Sequence, residues 1–115
     1  MGLFNKRERQ YYTLKDVPPR NEIHDGLLYD TERANLIAYS LENSDRNYQF
    51  YPPLVYHWGM EFIGLYRTAN NRYYKYHYDN HWSIWGSLKP LDENEARKLY
   101  HGCSHKLIAM KIVEA

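Results

Sequence analysis

Between residues 60 and 85 the chain alternates aromatic and branched side chains with polar and cationic ones, a period of two that commits the stretch to paired β-strands. One arm reads Met60-Glu61-Phe62-Ile63-Gly64-Leu65-Tyr66-Arg67-Thr68, the other Arg72-Tyr73-Tyr74-Lys75-Tyr76-His77-Tyr78. Ala69-Asn70-Asn71 separates them, and asparagine accepts the positive φ that tight hairpin turns impose. A two-residue loop at Asn70-Asn71 predicts Thr68 opposite Tyr73, Arg67 opposite Tyr74, Tyr66 opposite Lys75, Leu65 opposite Tyr76 and Ile63 opposite Tyr78.

This register sorts the side chains onto two faces. Ile63, Leu65, Tyr74, Tyr76 and Tyr78 make the expected core, in which each buried phenol needs a hydrogen-bond partner. Phe62, Tyr66, Tyr73, Lys75 and His77 make the other face, with Arg67 and Arg72 beside the turn. Aromatic and cationic groups mixed on one surface suit a partner-binding site, so these seven are the candidate contact residues. A solvated tyrosine-rich face is the plainer reading of the same pattern.

The remaining chain narrows the class. At 115 residues it holds one domain, and a net charge of +1 is far from the strongly basic balance of a default nucleic-acid binder. Aromatic residues are 17% of the chain, mostly tyrosine, which gives wide contact area at low entropic cost. Cys103 is the only cysteine, so no internal disulfide forms. No apolar run approaches the roughly 20 residues of a membrane span, and a soluble, cytoplasmic protein is expected.

Residues 1–20 carry Lys6, Arg7, Arg9, Lys15 and Arg20 against Glu8 and Asp16 and are expected as a flexible basic arm, with a short edge strand at 11–14 and an extended break at Pro18-Pro19. Residues 21–115 are expected to form one α+β domain. Its predicted elements are strands at 26–30 and 35–41 paired as a hairpin, a polar turn over 42–47, and a short strand at 54–58. The central hairpin and a last strand at 82–88 follow. Asp92 reads as an N-cap for a helix over 93–100 that stops at Gly102, with Glu93 and Glu95 in its first turn. A second segment over 105–114 leaves helix and strand both open, helix being the preferred reading. The sum is an antiparallel meander of about five strands with one or two C-terminal helices on one face.

Leu28-Tyr29-Asp30-Thr31-Glu32, Leu36-Ile37-Ala38, Leu65-Tyr66-Arg67-Thr68 with Arg72-Tyr73-Tyr74, and Pro90-Leu91 with Glu93, Glu95 and Ala96 together resemble a family of small, largely uncharacterised bacterial proteins carried on phages and mobile elements. The likeness spans residues 26–100. Members of that family often have a Gly-rich acidic loop after the third core strand, where this chain has Asp79-Asn80-His81-Trp82, so no role of that loop carries over. The resemblance implies a setting of phage and host conflict, in which compact proteins act by binding, anti-CRISPR inhibitors among them.

No nucleophile elbow or phosphate-cradling loop occurs, and Glu42, Glu61 and Asp79 lack the spacing of a general acid and base pair. The expectation is therefore a non-enzymatic binding protein without a cofactor; the resemblance implies that its partner is a host protein or ribonucleoprotein complex that it blocks, within a bacterial host cell. A single-stranded nucleic-acid module is the alternative, because Tyr66, Tyr73 and Lys75 beside Arg67 and Arg72 resemble a stacking platform. A small zinc protein is the third, on His77-x3-His81 and His101-x-Cys103-x-His105.

Overall fold

The computed structural model describes residues 11–48, 55–81 and 83–110. Asn71 decides the register of the central hairpin. It takes φ 60°, its amide donates to the Thr68 carbonyl at 3.0 Å, and the Thr68 amide donates to the Arg72 carbonyl at 2.8 Å. The Arg72 amide also donates to Thr68 Oγ1 at 3.1 Å. The loop thus holds three residues, 69–71, a turn whose last member is left-handed, rather than the expected two. Every pairing slips by one: Arg67 faces Tyr73, Tyr66 faces Tyr74, Leu65 faces Lys75, Gly64 faces Tyr76 and Phe62 faces Tyr78. One residue of slip exchanges the faces of one arm against the other.

In chain order the elements are β1 (Asn21–His24), β2 (Leu27–Asp30), β3 (Asn35–Tyr48), β4 (Val55–Arg67), β5 (Tyr73–Asp79), β6 (Trp85–Leu91), α1 (Glu93–Gly102) and β7 (His105–Lys106). Five strands make one sheet in the order β6-β5-β4-β3-β7, and β1 and β2 make a second. The class is α+β, with more strands than the five expected. β2 pairs with β1 and not with β3, because Asp25 (φ 52°) and Gly26 (φ 77°) form a tight left-handed turn between them. Residues 42–47 continue β3 where a turn was expected, and β4 is unbroken where two strands were expected. The ladder of β3 on β4 carries them: beyond the row of Glu42, Glu61 and Asp79 these strands pair only with each other among the described strands, through six pairs from Asn43–Met60 to Tyr48–Val55.

Both faces of the sheet are covered. On one, Phe62, Tyr66, Tyr74, Tyr76, Tyr78 and Leu88 pack with Met60 and with Tyr29 of the β1–β2 hairpin. Tyr12, Leu14 and Val17 close this core, the Tyr76 hydroxyl donates to the Pro18 carbonyl at 2.9 Å, and Asn43 bonds both backbone groups of Tyr12. Residues 11–20 therefore pack on the sheet; residues 1–10 of the expected arm lie outside the described residues. The expected edge strand at 11–14 gives way to a 3-10 turn at Leu14–Asp16, because Thr13 and Asp16 cap each other.

On the other face Ile37, Ala38 and Leu65 meet Ala96 of α1, Cys103 and Met110. A bulge puts Ile37 and Ala38 together on this side, since Leu36 pairs with Tyr66 and Ala38 with Leu65. It also frees the Ile37 carbonyl, which accepts from the Leu107 and Ile108 amides at 2.9 and 3.2 Å. Those bonds, with β7 on Ala38 and Tyr39, make residues 105–106 a short strand followed by a bend at 107–108, so of the two open readings the preferred helix is not formed there; the end of that segment lies outside the described residues. Helix α1 starts where the sequence predicts: Asp92 accepts from the Glu95 amide at 2.7 Å, and Glu95 returns the bond to the Asp92 amide at 3.0 Å. It ends without a left-handed residue, with Cys103 extended at φ −75° and bonded back to Leu99 and Tyr100.

Candidate functional site

The one-residue slip divides the seven candidate residues. Phe62 (0% exposed) and Tyr66 (8%) are interior, Tyr66 stacked on Tyr74 with ring centres 5.1 Å apart and Phe62 edge-on to Tyr76. Burial pushes the hydroxyls of Tyr66 and Tyr76 up to about 12 and that of Tyr74 higher still. Arg67, Tyr73, Lys75 and His77 stand on the opposite face, with Arg72 in the turn. That face is not purely basic. Its His77 Nε2 lies 2.7 Å from a Glu61 carboxylate oxygen, and its ring meets Trp85 edge-on at 4.8 Å.

Arg72 and Tyr73 line an open groove of about 710 Å³ between the β1–β2 hairpin, the 69–71 loop and the junction of β6 with α1. Leu27, Tyr29, Tyr73, Pro90 and Leu91 give it an apolar wall, while Asp25, Asp92 and Glu93 supply acid opposite His24 and Arg72. Leu27 is 39% exposed, an apolar side chain with one flank still bare. The hairpin that forms one wall is moored by Glu22, which accepts from Arg20, from His24 and from the Leu88 amide of the edge strand β6. Burial alone would raise the Glu22 carboxyl, but the bonds from Arg20, His24 and Leu88 hold it below its usual range. Thr31 closes the open end of the hairpin itself, its amide donating to the Arg20 carbonyl and its hydroxyl accepting from the Arg20 amide.

Only Arg72 and Tyr73 of the groove were among the predicted contact residues. The Asp25-Gly26 dipeptide is the signal that could have revealed the hairpin wall, because both residues suit positive φ. Where that hairpin docks is a tertiary fact with no local pattern.

The two histidine motifs are not gathered. Among the described residues no three of His, Cys, Asp and Glu are placed to hold a metal ion. His77 is engaged by Glu61, His81 lies between Asp79 and Ser44, and His105 stacks on Tyr39 at 4.7 Å. Cys103 is buried, which pushes its thiol up and away from the thiolate. Among the described residues no helix is long and apolar enough to cross a membrane.

No family model, curated protein or solved structure matches this chain. The groove is therefore read from its own geometry and chemistry.

Proposed function

We propose that this chain is a binding protein whose groove takes a segment of a protein partner, a host protein or ribonucleoprotein complex, and blocks it. The observation that carries the reading is the pairing of an apolar wall, Leu27, Tyr29, Tyr73 and Leu91, with an acidic rim at Asp25, Asp92 and Glu93. Such a lining suits an apolar or aromatic anchor flanked by a basic residue. It disfavours a nucleic-acid strand, whose phosphates would meet that rim. With Phe62 and Tyr66 interior, neither stands beside Tyr73 as the exposed ring of a stacking platform. The phage or mobile-element setting and a defence complex as target enter through the resemblance alone.

A photo-crosslinking residue at position 27, used in a bacterial lysate, tests this. A crosslinked protein whose capture falls at least about 30-fold with Tyr73→Ala, the loss of a hot spot, and more modestly with Asp25→Asn supports the reading. Recovery of nucleic acid alone, or capture unchanged in both variants, overturns it.

A further inference from the structure

At the opposite end of β5 from the groove, six residues and roughly 20 Å away, three side chains join in a line that no sequence spacing announced. His81 is 2% exposed. Its Nδ1 lies 3.0 Å from Asp79 Oδ1 and its Nε2 lies 3.0 Å from Ser44 Oγ. The His81 amide donates to the same Asp79 oxygen at 2.9 Å. A carboxylate on Nδ1 fixes the tautomer with its proton there, leaving Nε2 to accept from the serine hydroxyl. We propose that Ser44, His81 and Asp79 are nucleophile, base and orienting group of a site that hydrolyses small activated carboxylic esters through an acyl-serine.

The site is built rather than incidental. A Cβ at Gly59 would come within 2.7 Å of the His81 Cα and 2.8 Å of Asn80 Oδ1, so the chain leaves a notch in β4 for residues 80 and 81 to cross. Asn80 locks the crossing, its Oδ1 accepting from the Met60 amide at 2.7 Å and its backbone N–H donating to the Met60 carbonyl at 3.2 Å. Ser44 is half-buried on β3, whose outer edge β7 covers only at Ala38 and Tyr39. The half-buried position of Ser44 is what leaves the site an approach from solvent.

In the first step Ser44 Oγ bonds to the ester carbonyl carbon while its proton passes to Nε2. Collapse of the tetrahedral intermediate breaks the carbon–oxygen bond to the alcohol, which leaves with the proton from Nε2. Water then attacks the acyl-serine, gives its proton to Nε2, and Oγ takes it back as the acid departs. Asp79 touches no reacting atom and is a positioning residue. A general base contributes about 10²–10⁴ in rate. These steps draw on the serine, the imidazole and the carboxylate alone, so esters whose alcohol departs easily, a phenol or a similarly acidic alcohol, are its substrate class.

The test uses the full chain and a fluorophosphonate probe, with the adduct mapped by peptide mass spectrometry, beside hydrolysis of p-nitrophenyl acetate. An adduct on Ser44, absent in Ser44→Ala, and ester hydrolysis lowered about 100-fold in that variant support the site. His101→Gln, on the exposed end of α1, should leave the rate unchanged, which separates the site from hydrolysis by any surface imidazole. Asp79→Asn should slow the acylation burst while its amplitude stays at one acyl group per folded chain. A folded wild-type chain that takes no adduct, an adduct on another residue, or Ser44→Ala hydrolysing as fast as wild type would each overturn the proposal and leave the three side chains as a clasp on the 79–81 crossing.

Discussion

Two neighbouring tyrosines in the same core bear opposite consequences from the same atom. The Tyr76 hydroxyl reaches the Pro18 carbonyl at 2.9 Å, whereas the Tyr74 hydroxyl is buried with no hydrogen-bond partner among the described residues. An unmatched buried hydroxyl costs about 1–3 kcal/mol in lost solvation, and a matched one returns about 1. Tyr74→Phe should therefore stabilise the fold by about 1 kcal/mol and Tyr76→Phe should destabilise it by a similar amount, both read from urea midpoints at constant slope. Two variants that shift the midpoint in the same direction would contradict the assignment of these bonds.

Among the elements, the 69–71 loop decides most. Asn71 sits at φ 60°, a region costing a branched residue about 1–2 kcal/mol and glycine nothing. Asn71→Val should lose that amount in chemical denaturation, while Asn71→Gly should hold or gain stability. The alternation of the two arms, the N-cap at Asp92 and the turn after Asp30 were legible because each rests on a local period or on one residue's chemistry. The register was not, because Asn70-Asn71 fits a two-residue loop as well as Asn71 alone fits the end of a three-residue one. Phe62 and Tyr66 were consequently assigned to the binding face, and Arg72 and Tyr73 reached the groove by lying at the turn. The extension of β3 through residues 42–47 was illegible for another reason: a polar run becomes strand only when a partner strand supplies the ladder, and tertiary pairing overrides propensity.

For the molecule as a whole, stability is bounded by titration on both sides. Tyr66 and Tyr76 ionise at about 12 in the fold against an ordinary 10.0, and Tyr74 is raised further. The folded chain keeps these groups neutral, so their contribution is complete below pH 10 and is lost as pH rises toward the folded values. Unfolding free energy should fall by up to about 4 kcal/mol per pH unit from the three together once the unfolded tyrosines ionise. Phenolate absorbance appearing for all tyrosines near pH 10, with the fold intact, would refute this. Glu22 acts on the acid side: its carboxyl is lowered from 4.5, so its share is complete above that pH and is lost as pH falls through the folded value. Because Glu22 moors the β1–β2 hairpin to β6, acid should slacken the groove wall before the aromatic core yields. Fluorescence from a label on the hairpin changing ahead of near-ultraviolet circular dichroism would display that order.

The six pairs that β3 and β4 share beyond the end of β5 make each of these strands a composite. A two-stranded ribbon alone is marginal in water, whereas the same strands further along are held by neighbours and by side chains on both faces. Backbone amides should therefore exchange with solvent deuterium along a gradient, slowest near Leu65 and Ala38 and fastest toward Val55 and Tyr48, so that a single unbroken strand records two distinct opening free energies.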